Sequence, residues 1–182
     1  MCTGNVHRSV LAERLLAARL PAGSAVQAES AGTEAWLRSG MEDTTRAVLE
    51  ELGADGAGFT TRPLTGRLVT EAALVLGLTQ EHREAAVRLA PSAMRRCFTL
   101  KEFVRLAAGV PGGDGPGAEG GFDAVVAAVS ARRGVAAPLP ASEDDIADPV
   151  GLPRDILDRC AREIDSAVSR LARLLDERGV SV

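Results

Sequence analysis

The 182-residue sequence predicts an α/β fold in which helices flank a short parallel sheet. The run ALVLGL, residues 73–78, is continuously apolar, which is typical of a strand buried on both faces of a parallel sheet. Strand-like and helix-like segments alternate along the chain, and this order builds parallel sheets. We see no internal repeat and no domain boundary.

The first third of the chain predicts two helices with one strand between them. Residues 9–20 are rich in good helix formers, and Pro21 stops that helix. Residues 24–33 alternate between apolar and polar side chains before a glycine turn, so we expect a short strand there. Asp43 can cap a second helix, which ends at Gly53.

The middle of the chain continues the alternation. Residues 80–89 read as a helix, and residues 97–98 as a short strand. Thr99 followed by Glu102 fits a capping box, which would open a helix running to Ala108.

The last third combines two loops with two helices. Residues 109–121 are dominated by Gly and Pro, which predicts a flexible loop. A phosphate-binding glycine loop would follow a strand, whereas a helix precedes this one. Residues 122–133 read as a helix and residues 138–152 as a loop. The final helix opens at Pro153, and its predicted buried stripe comprises Ile156, Cys160, Ile164, Val168, Leu171 and Leu175.

Composition excludes several functional classes. A net charge of -4 argues against a nucleic-acid surface, and no apolar stretch reaches the ~20 residues needed to cross a membrane. The three cysteines, Cys2, Cys97 and Cys160, form no CxxC pair, and with only His7 and His82 besides them no metal site is expected. We expect a cytoplasmic protein with reduced thiols, without cofactor, nucleic-acid partner or membrane partner.

The segment CTGNVHRS, residues 2–9, has the pattern of a phosphate-binding cradle. Cys2 and Arg8 are separated by five residues, and a predicted helix follows. Inward-pointing amides of such a loop, together with the positive end of the helix, favour a phosphate and a thiolate. Arg8 offers a planar fork to phosphoryl oxygens. Gly4 and Asn5 suit a tight bend, and Ser9 can donate to the thiolate.

A second candidate lies far downstream, at Asp148. Cleavage of a phosphate ester needs a proton on the leaving oxygen, and a carboxylic acid on a polar loop can supply it. Asp148 is followed by Pro149 in such a loop. Asp144 and Asp145 are expected to be ordinary surface residues.

These motifs resemble the low-molecular-weight protein tyrosine phosphatases. CTGNVHRS followed by LAE, then SAGT, ALVLGLTQEH and DIADPVG match that family in order and spacing over nearly the whole chain. The resemblance implies one phosphatase domain over residues 1–182. It also implies a three-layer sandwich, in which helices flank a four-stranded parallel sheet, and no metal.

By the same resemblance, Cys2 is the nucleophile, Arg8 the phosphate clamp and Asp148 the general acid and later the base. Trp36 would form an aromatic wall beside the substrate, which is a phosphorylated protein or a small aryl phosphate. Reaction would pass through a phosphocysteine. The residues implied as the phosphate cradle are Thr3, Gly4, Asn5, Val6, His7, Arg8 and Ser9.

The sequence departs from the family pattern at four points. The family has an apolar central strand ahead of the nucleophile, where this sequence has only Met1. We expect the true start to lie upstream or the strand to be truncated, and the chain as written to be poorly stable and weakly active. His7 replaces a second cysteine, Val10 replaces a proline, and residues 150–151 stand where aromatic side chains are common.

Two alternatives remain open. Arsenate reduction on the same scaffold would need two further cysteines close together to pass a disulfide outward. A phosphate- or phosphoprotein-binding module without catalysis would fit a chain that lacks a central strand.

Overall fold

The computed structural model of the protein describes residues 1–110, 121–137 and 139–177. Within these ranges the α-helices lie at Arg8–Arg19 (α1), Asp43–Glu51 (α2), Gly66–Glu71 (α3), Gln80–Leu89 (α4), Leu100–Ala107 (α5), Gly121–Ala131 (α6), Ala141–Asp144 (α7) and Arg154–Glu177 (α8). The strands lie at Arg38–Ser39 (β1), Thr60–Thr61 (β2), Val75–Gly77 (β3) and Cys97–Thr99 (β4). Single 3-10 segments cover Pro91–Arg96 and Arg132–Gly134.

Strands β3 and β4 form a parallel pair with helices on both faces. Val75 pairs with Cys97, and Leu76 pairs with Phe98. Because side chains alternate along a strand, Val75 and Cys97 pack into a cluster with residues of α3 and α4. Leu76 and Phe98 pack into the larger cluster with α1, α2, α5, α6 and α8. This confirms the predicted α/β fold, a short parallel sheet between helical layers.

The first two residues extend this sheet on the other side of β3. The N-terminal amine of Met1 donates a hydrogen bond to the carbonyl of Leu76 at 2.7 Å. Cys2 then forms a parallel bridge with Gly32, which bridges in turn to Pro63. Although only Met1 precedes Cys2 where the family pattern has a whole strand, this bridge and the Met1 contact fix the backbone of Cys2 on both sides.

The strand predicted for residues 24–33 does not form. Within that segment only Gly32 takes part in a bridge. A ladder needs a hydrogen-bonding neighbour along its whole length, and residues 1–2 reach only its last residues. Residues 25–31 and residues 71–76 line a cleft of about 720 Å³, together with residues of helices α1 and α8.

Most local signals of the sequence are confirmed. Thr99 and Glu102 form the reciprocal capping box at the start of α5. Gly53 follows α2 with a φ of +79°, a conformation that glycine adopts without strain. In α8, which begins after Pro153, Ile156 is half-buried, and the rest of the predicted stripe is buried: Cys160, Ile164, Val168, Leu171 and Leu175.

Other elements differ from expectation. The antiparallel pair β1–β2 and helix α3 were not predicted, and α7 forms inside the predicted loop 138–152. Asp43 is the first residue of α2, and Glu42 takes the cap position. Of the predicted flexible loop, residues 111–120 lie outside the described residues. Among the described helices, none combines the length and apolar character needed to cross a membrane.

Candidate active site

The predicted cradle forms one loop between the parallel sheet and helix α1. Cys2 is only 3% exposed, and its carbonyl accepts a hydrogen bond from the amide of Thr33 at 2.9 Å. Arg8 opens α1, whose positive end therefore faces the loop. Asn5 turns the chain with a φ of +54°. The loop's half-buried members are Thr3, Gly4, Val6 and His7.

Gly32 of the SAGT motif lies directly against this loop. A Cβ atom at that position would be 2.4 Å from the Thr3 carbonyl oxygen and 2.8 Å from the Asn5 nitrogen. The amide of Glu34 donates to the same Thr3 carbonyl at 3.0 Å. Only glycine therefore allows the cradle and the segment behind it to approach so closely.

A chain of side-chain hydrogen bonds leads from Glu13 to the sulfur of Cys2. The Ser9 hydroxyl lies 3.0 Å from Cys2 Sγ, and Asn5 Nδ2 donates to Ser9 Oγ at 2.9 Å. Asn5 Nδ2 also donates to Ser30 Oγ at 2.8 Å, and the Ser30 hydroxyl donates to Glu13. Because Ser9 already accepts from Asn5, its own proton is free to point at the sulfur.

The guanidinium of Arg8 connects the cradle to the loop that carries Asp148. Arg8 is 3% exposed; its Nη1 donates to the Ile146 carbonyl at 3.1 Å, and its Nη2 donates to Asp148 Oδ2 at 2.5 Å. The Asp148 side chain is 45% exposed, and its Oδ1 accepts from the amide of Val150 at 3.2 Å. The predicted clamp and the predicted acid are thus in direct contact.

His7 connects the cradle to helix α2. Its Nδ1 is 2.5 Å from Thr45 Oγ1, and its Nε2 is 3.5 Å from a carboxylate oxygen of Glu42. Burial lowers the pKa of His7 below its ordinary value, against an opposing effect of Glu42. The lowered pKa favours the neutral form of the ring.

His82 is a second histidine at the cradle, and the sequence predicted no role for it. Its Nε2 lies 3.0 Å from Thr3 Oγ1, and its Nδ1 lies 2.8 Å from the hydroxyl of Thr79, the cap of α4. Burial, with a smaller contribution from Arg8, lowers the pKa of His82 to about 4. A neutral imidazole offers one donor and one acceptor, so the ring joins two hydroxyl groups.

Large apolar side chains are exposed to solvent in the segments that follow Thr33 and Asp148. Trp36 is 88% exposed. It lies three residues beyond Thr33, whose amide is hydrogen-bonded to the carbonyl of Cys2. Val150 and Leu152, which follow Asp148, are 62% and 53% exposed.

Comparison with known proteins identifies the family. The family model described as low molecular weight phosphotyrosine protein phosphatase matches residues 1–134. The chain belongs to this family. It is accordingly a cysteine-dependent phosphatase that acts on phosphorylated protein.

Individual relatives agree with this assignment. The phosphatase is 29% identical over 175 residues to a protein-arginine-phosphatase of Geobacillus stearothermophilus, covering 96% of this chain and 93% of the relative. It is 36% identical over 96 residues to a low molecular weight protein-tyrosine-phosphatase of Streptomyces coelicolor, covering 50% of this chain and 58% of the relative.

Solved structures show the same fold. The arginine phosphatase YwlE of G. stearothermophilus aligns with a TM-score of 0.68 at 29% identity, covering 96% of this chain and 89% of the other. A low molecular weight protein tyrosine phosphatase from T. tengcongensis aligns with a TM-score of 0.69 at 25% identity and 94% coverage of each chain.

Proposed function

We propose that this phosphatase removes the phosphoryl group from phosphotyrosine in proteins through a phosphocysteine on Cys2. The observation that carries the proposal is the arrangement of three groups: the sulfur of Cys2 beside the Ser9 hydroxyl, Arg8 at the start of the same helix, and Asp148 held against Arg8. These are a nucleophile, an anion clamp and a proton donor in one place.

The first chemical step forms the phosphocysteine. Cys2 Sγ attacks phosphorus, and the bond from phosphorus to the leaving oxygen breaks. The proton of Asp148 goes to that oxygen, so a neutral phenol leaves. Arg8 turns its fork from Asp148 and Ile146 toward the phosphoryl oxygens, where it stabilises the charge of the transferring group. The cradle residues, from Thr3 to Ser9, surround the phosphoryl group.

The second step releases phosphate. The carboxylate of Asp148 takes a proton from water, the water oxygen attacks phosphorus, and the bond from phosphorus to sulfur breaks. The Ser9 hydroxyl donates a hydrogen bond to the departing thiolate and stabilises its charge. Both steps use side chains of this chain alone, so the proposal includes no cofactor.

The substrate side chain is proposed from the surroundings of the loop. Exposed apolar groups, with Trp36 as the wall beside the substrate, suit an aromatic ring better than a charged guanidinium. Phosphoarginine is the second candidate, because a relative named as an arginine phosphatase matches 96% of the chain. The partly exposed carboxylates of Glu42 and Asp148 would suit its positive charge.

The other cysteines argue against arsenate reduction. Cys97 and Cys160 are buried and free, and burial raises the pKa of both thiols, that of Cys160 to about 12. Neither is therefore ready to act as a thiolate in a disulfide relay.

The state of the cysteines also bears on the compartment. Three free, buried thiols are what a reducing compartment favours, and we propose that the phosphatase acts in the cytoplasm.

The test is steady-state hydrolysis of two matched peptides, one with phosphotyrosine and one with phosphoarginine. We expect a higher kcat/KM on the phosphotyrosine peptide and no turnover of either by Cys2→Ser. A higher kcat/KM on phosphoarginine would transfer the assignment to the second candidate. Vanadate binding without turnover by the unaltered protein would favour the binding module.

A further inference from the structure

We infer that Arg105 and Asp144 are positioning residues, which hold the loop of Asp148 in place for proton transfer. The inference rests on the proposed role of Asp148 as the general acid. It concerns a pair outside the phosphate loop, for which the sequence predicted no role in catalysis.

The pair lies where helix α7 ends and the acid loop begins. Asp144 is 6% exposed, which contradicts the expectation of an ordinary surface residue. Arg105 of α5 directs two nitrogens at it, with Nε 3.1 Å from Oδ1 and Nη2 2.5 Å from Oδ2. This two-point contact fixes the direction of the carboxylate as well as its distance, and it raises the pKa of Arg105.

The next two residues are anchored to other elements. Asp145, also expected at the surface, accepts a hydrogen bond from the amide of Gln80 at 2.7 Å, at the start of α4. The amide of Ile146 donates to the Leu78 carbonyl at 2.8 Å, and the Ile146 side chain is fully buried. Three consecutive residues therefore fasten one end of the loop to α5, α4 and the end of β3.

Asp148 itself has weaker support. It is partly exposed, and besides the Val150 amide its contact is with Arg8. Because Arg8 must turn toward the bound phosphoryl group, this contact is given up when the proton is needed. The location of Asp148 then depends on the anchored residues just before it, and Arg105 supplies the anchor at the end of α7.

Loss of this anchor should impair proton transfer more than phosphate binding. An acid out of place by about 1 Å can lower a rate by about 100-fold. The loss should be greatest for leaving groups that need the proton. Good leaving groups, which depart as anions, should be nearly unaffected.

The experiment measures kcat/KM, which reports formation of the phosphocysteine, for phenyl phosphate and for 2,4-dinitrophenyl phosphate. For Arg105→Gln we expect a loss of about tenfold or more on phenyl phosphate and less than about twofold on the dinitrophenyl ester. Arg105→Lys should recover part of the loss. The matched control is Arg159→Gln, at an exposed ion pair with Asp155 on α8, which should leave both values unchanged.

Since Arg105→Gln leaves a buried carboxylate without its partner, the double variant Arg105→Gln/Asp144→Asn is included to restore folding. A folded double variant with the same selective loss supports the inference. Equal losses on both esters, or no loss, would overturn it. Asp148→Asn is measured in parallel. If it too lacks a selective loss, the proposed acid is wrong; if it has one and the Arg105 variants do not, only the positioning role is wrong.

Discussion

Arg8 Nη2 and Asp148 Oδ2 lie 2.5 Å apart, although the two residues are separated by 140 positions in the sequence. The pair joins the proposed phosphate clamp to the proposed proton donor. On the proposed mechanism, a phosphoryl group that enters the cradle competes with Asp148 for the guanidinium. We therefore expect phosphate binding and release of the Asp148 carboxyl group to be coupled through this one contact.

For Asp148 we predict a loss that depends on the leaving group. General acid catalysis typically contributes about 10²–10⁴-fold, so Asp148→Asn should lower kcat/KM by that range on phenyl phosphate. The dinitrophenyl ester, whose leaving group departs without a proton, should lose far less. Equal losses on the two esters would make Asp148 a structural residue.

For Gly32 we predict that one added methyl group disables the cradle. In Gly32→Ala the new Cβ meets the Thr3 carbonyl oxygen at 2.4 Å, so the loop must shift. We expect kcat/KM to fall about 100-fold or more and vanadate to bind more weakly in a titration. Gly134→Ala, where a Cβ meets open space, is the control. Normal vanadate affinity in Gly32→Ala would show that the loop does not need this close approach.

For His82 we predict a specific effect on stability in acid. Burial lowers its pKa to about 4 from 6.5, so below pH 6.5 the unfolded chain takes up a proton that the folded chain refuses. The free energy of unfolding is therefore unaffected by this group above pH 6.5, and it falls by about 3 kcal/mol in total as the pH drops to 4. The variant His82→Gln, whose side chain still offers a donor and an acceptor, should lack this contribution to the pH dependence.

Urea denaturation of both proteins at pH 7 and pH 4 measures the difference. The variant should lose about 3 kcal/mol less than the unaltered protein between the two pH values. The same loss in both proteins would show that His82 does not carry the effect.

The cleft beside β3 predicts that an added strand stabilises the protein. Burial lowers the pKa of the Met1 amine from 8.0 to about 6. Below pH 8 the amine is protonated in the unfolded chain, and burying that charge makes folding less favourable. Six apolar, β-branched residues fused ahead of Met1 would replace the amine by an amide and fill the space between residues 25–31 and 71–76. We expect a gain of about 3–5 kcal/mol, or roughly 10 °C in Tm.

The control for this fusion is a Gly/Ser extension of equal length, which cannot fill an apolar cleft. Thermal melts of the two versions should differ by most of that gain. If the Gly/Ser version melts as high as the β-branched one, the cleft does not accept a strand.

The features that could be predicted from the sequence are those set by neighbouring residues. Residues 2–9 could be recognised because the thiol, the bend, the arginine and the helix start are contiguous, and the capping box at Thr99 depends on neighbours three positions apart. The strand at residues 24–33 was wrong because alternation alone does not supply a partner. The sequence predicts a surface location for Asp144, which is wrong, because neither helix α7 nor the contact of Asp144 with Arg105 leaves a local signal.

The contacts of residues that lie far from the cradle in the sequence could not be predicted, for the same reason. His82 and Ser30 reach the cradle only through tertiary packing, from α4 and from the segment before Gly32. Their polar side chains are common types at unremarkable spacing. Ser30 is the first residue of SAGT and His82 the last of ALVLGLTQEH, so both lie in segments that carried the family resemblance, although no role was predicted for either.

The most direct test of the account is to trap the phosphoenzyme. The protein is mixed with a phosphotyrosine peptide, quenched in acid within milliseconds, digested and examined by mass spectrometry. We predict one phosphoryl group on the sulfur of Cys2, absent from Cys2→Ser and from unreacted protein. Turnover by Cys2→Ser, or a phosphoryl group on any other residue of an active sample, would contradict the account.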